Sequence, residues 1–197
     1  MSRTAPRLKA SADEDITEIL LTEEQIRERV KELGVQISAD YQGRELVLVG
    51  ILRGALVFVA DLSRAITIPH TFDMTGASSY GPATSSSGRV QITKDVEVNL
   101  RNKHVLICED IYDSGRTLGA IGSLLRVHHP ASVEICTFLY KKVRRRAYHV
   151  DVKYCGFEIE DRFVVGYGLD YAEHYRHLPY LGVLNSRVHS PGQRKKA

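Results

Sequence analysis

A chain of 197 residues with 43% apolar residues suits one ordinary domain with a real core, and it excludes wholesale disorder. Lys and Arg number 27 against 24 Asp and Glu, and the resulting net charge of +3 is too weak to indicate a nucleic-acid partner. Three widely spaced cysteines, Cys108, Cys136 and Cys155, lack any Cys-x-x-Cys spacing, which argues against a disulfide framework or a zinc site and fits a reducing compartment.

Residues 1–15 are polar and lack the apolar core of a signal peptide, so a disordered arm and a cytoplasmic location are expected, with no membrane partner. From Thr22 to about Asp40 the spacing predicts a helix: Ile26, Val30, Leu33 and Ile37 fall on one face, and Thr22 with Gln25 makes a capping box. ELVLVGI at 45–51 is a continuous branched run, the pattern of a strand buried on both faces. LRGA follows, then a helical pattern through Leu56, Val59, Ala60 and Leu62. A weaker strand runs from Ile68 to Thr75, and SSYGPATSSSG at 78–88 is expected to be a mobile loop.

HVLICED at 104–110 is a second buried strand, followed by DSGRT and a helix through Leu118, Ile121, Leu124 and Leu125 that ends near Pro130. SVEICTFLY at 132–140 is a third. This alternation indicates an α/β chain with a parallel twisted sheet flanked by helices on both faces. Residues 152–185 lack the crossover rhythm and are expected to form a cap or edge from short strands, and 186–197 a polar tail. The expected organisation is therefore an arm at 1–15, a single domain at 16–185, and the tail.

The chemistry concentrates in ICEDIYDSGRTL, Ile107 to Leu118. A buried strand delivers Glu109 and Asp110 to its carboxyl end, where open parallel sheets bind ligands. The turn at Asp113, Ser114 and Gly115 then enters a helix whose first amides are unpaired and partly positive. Small residues let a phosphate reach those amides, and Ser114 and Thr117 add hydroxyls. Acids beside an anion cradle suit a phosphorylated sugar with a metal. The bland alternative is that these acids only cap the helix, but two acids ending so apolar a strand are costly without partners.

These residues carry a resemblance. A hydrophobic strand, two acids and D-[ST]-G-x-T resemble the phosphoribosyl pyrophosphate signature of the type I phosphoribosyltransferases. LRGA at 52–55 is similar to the family's pyrophosphate loop and SSYG at 78–81 to its flexible loop. GFEIEDRFVVGYGLDYAEHYRHLPYLGVL at 156–184 is very similar to the carboxyl-terminal region of the hypoxanthine-guanine branch. The resemblance implies a Rossmann-like core with a small hood built from N- and C-terminal segments. It also implies purine salvage, in which a phosphoribosyl group passes from phosphoribosyl pyrophosphate to hypoxanthine or guanine.

Residue by residue, it implies that Glu109 and Asp110 serve the ribose hydroxyls and Mg2+, with Asp170 as a further metal ligand. Asp113 becomes the general acid/base near N7 of the purine. Ser114, Gly115, Arg116 and Thr117 wrap the 5′-phosphate with Asp113, while Arg53, Gly54 and Arg176 bind pyrophosphate. Lys141 reads the 6-oxo group, Phe163 stacks on the purine, and Val164 and Asp170 add contacts to the base. Ser79 and Tyr80 form a lid. In relatives the peptide inside the pyrophosphate loop can be cis without proline, which makes Leu52–Arg53 the position to inspect. A homodimer or homotetramer is implied as well.

Three departures stand out. Arg53 replaces a usual lysine, Cys108 a usual aliphatic residue, and Tyr112 an aliphatic residue beside Asp113. The run KKVRRR at 141–146 has no interleaved aromatics and is read as a solvated surface. His174 and His177 with Glu173 are read as an exposed turn. A serine hydrolase fails because Tyr112 and Arg116 occupy the glycine positions of a nucleophile elbow. Dinucleotide and P-loop glycine motifs are missing too. The competing reading is a catalytically silent, nucleotide-sensing relative; intact Asp113, Lys141, Phe163 and Asp170 argue against it.

Overall fold

The computed structural model describes residues 15–79 and 90–189, so most of the expected arm and tail and most of the expected loop at 78–88 lie outside the described residues. Strand β1 (Ile16–Leu21) leads into helix α1 (Glu23–Asp40), whose start carries the expected capping box: Gln25 N–H donates to Thr22 Oγ1 at 3.3 Å and Thr22 N–H to Gln25 Oε1 at 2.9 Å. Thr22→Ala removes that cap and is expected to cost about 1 kcal/mol of stability. Urea denaturation reads it as a lower midpoint at unchanged slope, and an unmoved midpoint would show the cap to be idle.

The chain continues through β2 (Leu46–Leu52), α2 (Leu56–Ala65), β3 (His70–Ser79), β4 (Val90–Lys94), β5 (His104–Tyr112), α3 (Arg116–Arg126), β6 (Ser132–Lys142) and β7 (Tyr154–Glu160). Six strands form one sheet in the order β4-β3-β2-β5-β6-β7, all neighbours parallel except β4, which runs antiparallel at the edge. Alternate residues of a strand face opposite sides, and β2 divides accordingly. Leu46 and Leu48 join Ile26, Val30 and Leu33 of α1 and Phe58 and Leu62 of α2. Val47, Val49 and Ile51 join Ile107 of β5 and Leu118, Ile121 and Leu125 of α3. Both faces of the sheet are thus buried, each such side chain contributing about 1.5–3 kcal/mol. This explains why β2 reads as an unbroken apolar run rather than an alternating one.

After β2 the chain builds outward to β3 and then returns to place β5 on the other side of β2. The strand order therefore reverses between β2 and β5, and the crevice outside their carboxyl ends is where such sheets take ligands. A second, antiparallel sheet, order β1-β9-β8, forms the hood from β8 (Val164–Val165) and β9 (Leu181–Leu184), followed by a helical turn α4 (Ser186–His189). Asp15 is tied into it, its carboxylate accepting from Tyr175 OH at 2.8 Å.

The structure adds two strands that the sequence did not assign, corrects one loop expectation and gives the cap-or-edge segment its parts. Residues 16–21 form a strand, because their partner Leu181–Leu184 lies far along the chain and only the fold brings it close. Val90–Lys94 also forms a strand, against β3. β3 runs on to Ser79, so Ser78 and Ser79 belong to the sheet rather than to a loop, and Tyr80 lies outside the described residues. Residues 152–185 divide: Tyr154–Glu160 closes the main sheet, while the rest makes the hood. Among the described residues no helix is long and apolar enough to cross a membrane.

Candidate functional site

The carboxyl end of β2 turns sharply at Leu52–Arg53, a cis peptide bond without proline, as the resemblance suggested. Gly54 follows and packs directly on the acid pair of β5: a Cβ there would sit 1.5 Å from Asp110 Oδ2. No side chain other than hydrogen fits between them.

Glu109 is buried, 6% exposed, and its Oε2 has no hydrogen-bond partner. Burial, reinforced by the neighbouring Asp110 charge, pushes the Glu109 carboxyl well above the usual range. Asp110 is pushed up to about 6, chiefly by burial, although the backbone N–H groups of Ile111 and Asp110 and the charge of Arg176 oppose the shift. Among the described residues neither acid makes an ion pair, and Arg176 acts on Asp110 only through its field.

Beyond them a cavity of about 180 Å³ is lined by Glu109, Asp113, Ser114, Gly115 and Thr117, among others. Gly115 is the N-cap of α3 at φ 76°, a left-handed conformation that glycine adopts freely, and no side chain caps the helix. Apart from a long 3.5 Å contact from Arg116 N–H to Ser114 Oγ, the first-turn amides remain for a ligand. The helix dipole and those amides favour an anion.

The hood closes the other side. Arg176 donates to Gly168 O at 2.8 Å and pairs with Asp170 Oδ1 at 2.7 Å, while Asp170 Oδ2 accepts from Glu173 N–H at 2.9 Å. Glu173 in turn meets Arg53 at 2.6 Å, joining the hood to the β2 loop. At the end of β6, Lys141 Nζ lies 2.8 Å from Asp161 Oδ1, with the lysine side chain only 14% exposed. Phe163, two residues beyond Asp161, is 40% exposed; its ring stacks on His189 at 4.6 Å and meets Tyr171 edge-on at 5.6 Å. Val164 is buried in β8. The arrangement offers an acid pair for a cation or diol, an amide cradle for phosphate, and a lysine and an aromatic face to one side.

A family model described as the phosphoribosyl transferase domain matches residues 17–172. The chain belongs to the phosphoribosyltransferase family.

Among its relatives are the hypoxanthine-guanine phosphoribosyltransferase of Mycobacterium avium, 48% identical over 89% of each chain, and the hypoxanthine phosphoribosyltransferase of Salmonella typhimurium, 49% identical over 84% of this chain and 93% of that one. A solved hypoxanthine phosphoribosyltransferase from Staphylococcus aureus superimposes with a TM-score of 0.87 at 47% identity, covering 93% of this chain and 100% of that one.

Within this phosphoribosyltransferase, Arg53, Gly54, Asp110, Asp170 and Arg176 form one connected cluster around the β2–β5 crevice, and Glu109 lines the cavity shared with Asp113, Ser114, Gly115 and Thr117. Lys141 is held by Asp161, which precedes Phe163 by two residues. Ser79 ends β3, at the margin of the described residues. Among the described residues, no three His, Cys, Asp or Glu converge as a ready-made metal cluster. Sequence reasoning misses Asp161 and, having read Glu173 as part of an exposed turn, misses its arginine partners, since a single acid in a turn carries no local signal of them. It also reads KKVRRR, Lys141 apart, as a solvated surface, whereas the Arg146 guanidinium packs against two tyrosine rings.

Proposed function

We propose that this phosphoribosyltransferase joins hypoxanthine or guanine to the phosphoribosyl group of phosphoribosyl pyrophosphate, forming IMP or GMP and pyrophosphate. The observation that carries the reading is the buried Glu109, unpartnered at Oε2, with half-buried Asp110 next to it, beside an uncapped helix start at the sheet's switch point. The names of the relatives support the choice of base.

In this mechanism Ser114, Gly115, Arg116 and Thr117 hold the 5′-phosphate, and Arg53, Gly54 and Arg176 hold the pyrophosphate. Lys141 donates to the 6-oxo group, Phe163 stacks on the ring, and Val164 and Asp170 border the base. N9 then attacks the anomeric carbon as the bond to pyrophosphate oxygen breaks, and Asp113 takes the ring proton that the purine sheds. Ser79 and Tyr80 exclude water from a centre that hydrolyses easily.

Magnesium fits these residues. Glu109 Oε2 is buried without a partner, and burial disfavours the charge of both acids, so a hard divalent cation satisfies them. Glu109, Asp110 and Asp170 would hold it, their carboxylates being the hard oxygen donors that magnesium takes. The bound ion supplies charge neutralisation for the leaving pyrophosphate.

The test is an absorbance assay with guanine or hypoxanthine, phosphoribosyl pyrophosphate and magnesium. Nucleotide formation is expected, abolished by excess chelator and restored by added magnesium. Binding of both substrates without turnover would instead identify a silent sensor. The homodimer or homotetramer implied by the resemblance is read by sedimentation equilibrium.

A further inference from the structure

Tyr112 and Arg146 are the feature that the reaction does not yet use. Tyr112 ends β5, immediately before Asp113, and is 1% exposed. Tyr140 is its register partner on β6, and the two rings meet edge-on with centroids 5.2 Å apart. The guanidinium carbon of Arg146 lies 4.3 Å from the Tyr112 ring centroid and 4.4 Å from that of Tyr140. Its Nη2 donates to Lys141 O, but its buried Nε has no hydrogen-bond partner. Ring faces, more than hydrogen bonds, therefore hold the guanidinium plane.

The same connection between β6 and β7 grips the phosphate turn through its backbone. Ser114 O accepts from the N–H groups of both Ala147 and Tyr148 at 3.1 Å. Tyr112 OH donates to Tyr148 O at 3.3 Å and accepts from Val150 N–H at 3.1 Å. At Gly115 a Cβ would lie 2.1 Å from Tyr148 O and 3.1 Å from the Tyr112 ring. An aliphatic side chain at 112 would supply neither the ring face nor the hydroxyl.

We propose that Tyr112 and Arg146 act together as positioning residues that clamp the 146–150 segment onto the turn at 113–117 and so preset that turn for the 5′-phosphate. The proposal rests on the phosphoribosyl-transfer reading above. Its physical basis is preorganisation: a turn already ordered loses less conformational freedom when the phosphate binds. The clamp also passes through Lys141 O, tying the end of β6 to the phosphate turn.

The experiment compares wild type with Arg146→Ala, Tyr112→Leu, Tyr112→Phe and the Arg146→Ala/Tyr112→Leu double variant. It measures kcat and KM for phosphoribosyl pyrophosphate, its Kd by calorimetry, and Tm. Arg146→Ala and Tyr112→Leu are each expected to raise KM and Kd for phosphoribosyl pyrophosphate about five- to tenfold, with kcat within about twofold. The double variant should be no worse than the weaker-binding single, because the pair acts as a unit. Tyr112→Phe keeps the ring but loses both hydroxyl bonds to the 148–150 backbone, so its loss of affinity should be smaller than that of Tyr112→Leu. Unchanged KM and Kd in Arg146→Ala, a loss confined to kcat, or additive losses would overturn the clamp. Arg146 is half-buried on the connection between β6 and β7 rather than in a strand of the sheet, so it decides the matter if Tyr112→Leu does not fold. Failure of wild type to turn over tells against the function itself, whereas the variant-to-wild-type ratio of Kd tests the clamp alone.

Discussion

Asp113→Ala is expected to lower kcat by about 10²–10⁴-fold, the range of a general acid/base, while the affinity for phosphoribosyl pyrophosphate changes by less than about threefold. Asp113 leaves the end of β5 with an exposed side chain and lines the same 180 Å³ cavity as Ser114, Gly115 and Thr117. In the proposed mechanism the phosphate is held by the amides and hydroxyls of that turn, none of which belongs to the Asp113 side chain. Removing its carboxylate thus deletes a proton acceptor and leaves the cradle intact. Steady-state kinetics with calorimetry separates the two effects. Parallel losses in turnover and binding would mean that Asp113 shapes the turn rather than moving a proton.

The second large effect is on base selection. Lys141→Ala is expected to reduce kcat/KM for hypoxanthine and guanine by about 10- to 150-fold, which corresponds to the roughly 1.5–3 kcal/mol of a hydrogen bond from a charged donor. Activity with adenine should not fall. An ammonium offers donors only, so it rewards a 6-oxo acceptor and gives nothing to a 6-amino group. The side chain is pinned at the end of β6 by Asp161 at 2.8 Å and is mostly buried, so its aim is not left to chance. Comparing kcat/KM for guanine and adenine in wild type and variant is the check; a preserved preference for 6-oxopurines would remove Lys141 from that role.

The elements that carry their own hydrophobic period are legible in the sequence. The runs at 45–51, 104–110 and 132–140 read as buried strands and fall on β2, β5 and β6, and Thr22 with Gln25 marks the start of α1. The phosphate turn is legible too, because Glu109 through Thr117 are contiguous and their chemistry is local. β1 is not: Ile16–Leu21 has a weak pattern, and its stability depends on pairing with Leu181–Leu184. Arg146 escapes a sequence reading for a related reason. A basic run exposes no sign that one of its members will meet two rings delivered by different strands.

The order of residues on its own sets the alternation of strands and helices, the buried faces, and the acid-and-amide turn, since burial period and turn chemistry act over a few neighbouring positions. Three-dimensional packing alone makes Gly54 touch Asp110, Asp161 hold Lys141, Glu173 bridge Arg53 and Arg176, and Arg146 lie against both Tyr112 and Tyr140. Those meetings follow from strand order and register, which place segments distant in the chain within contact distance and leave no trace in the local pattern of any one of them.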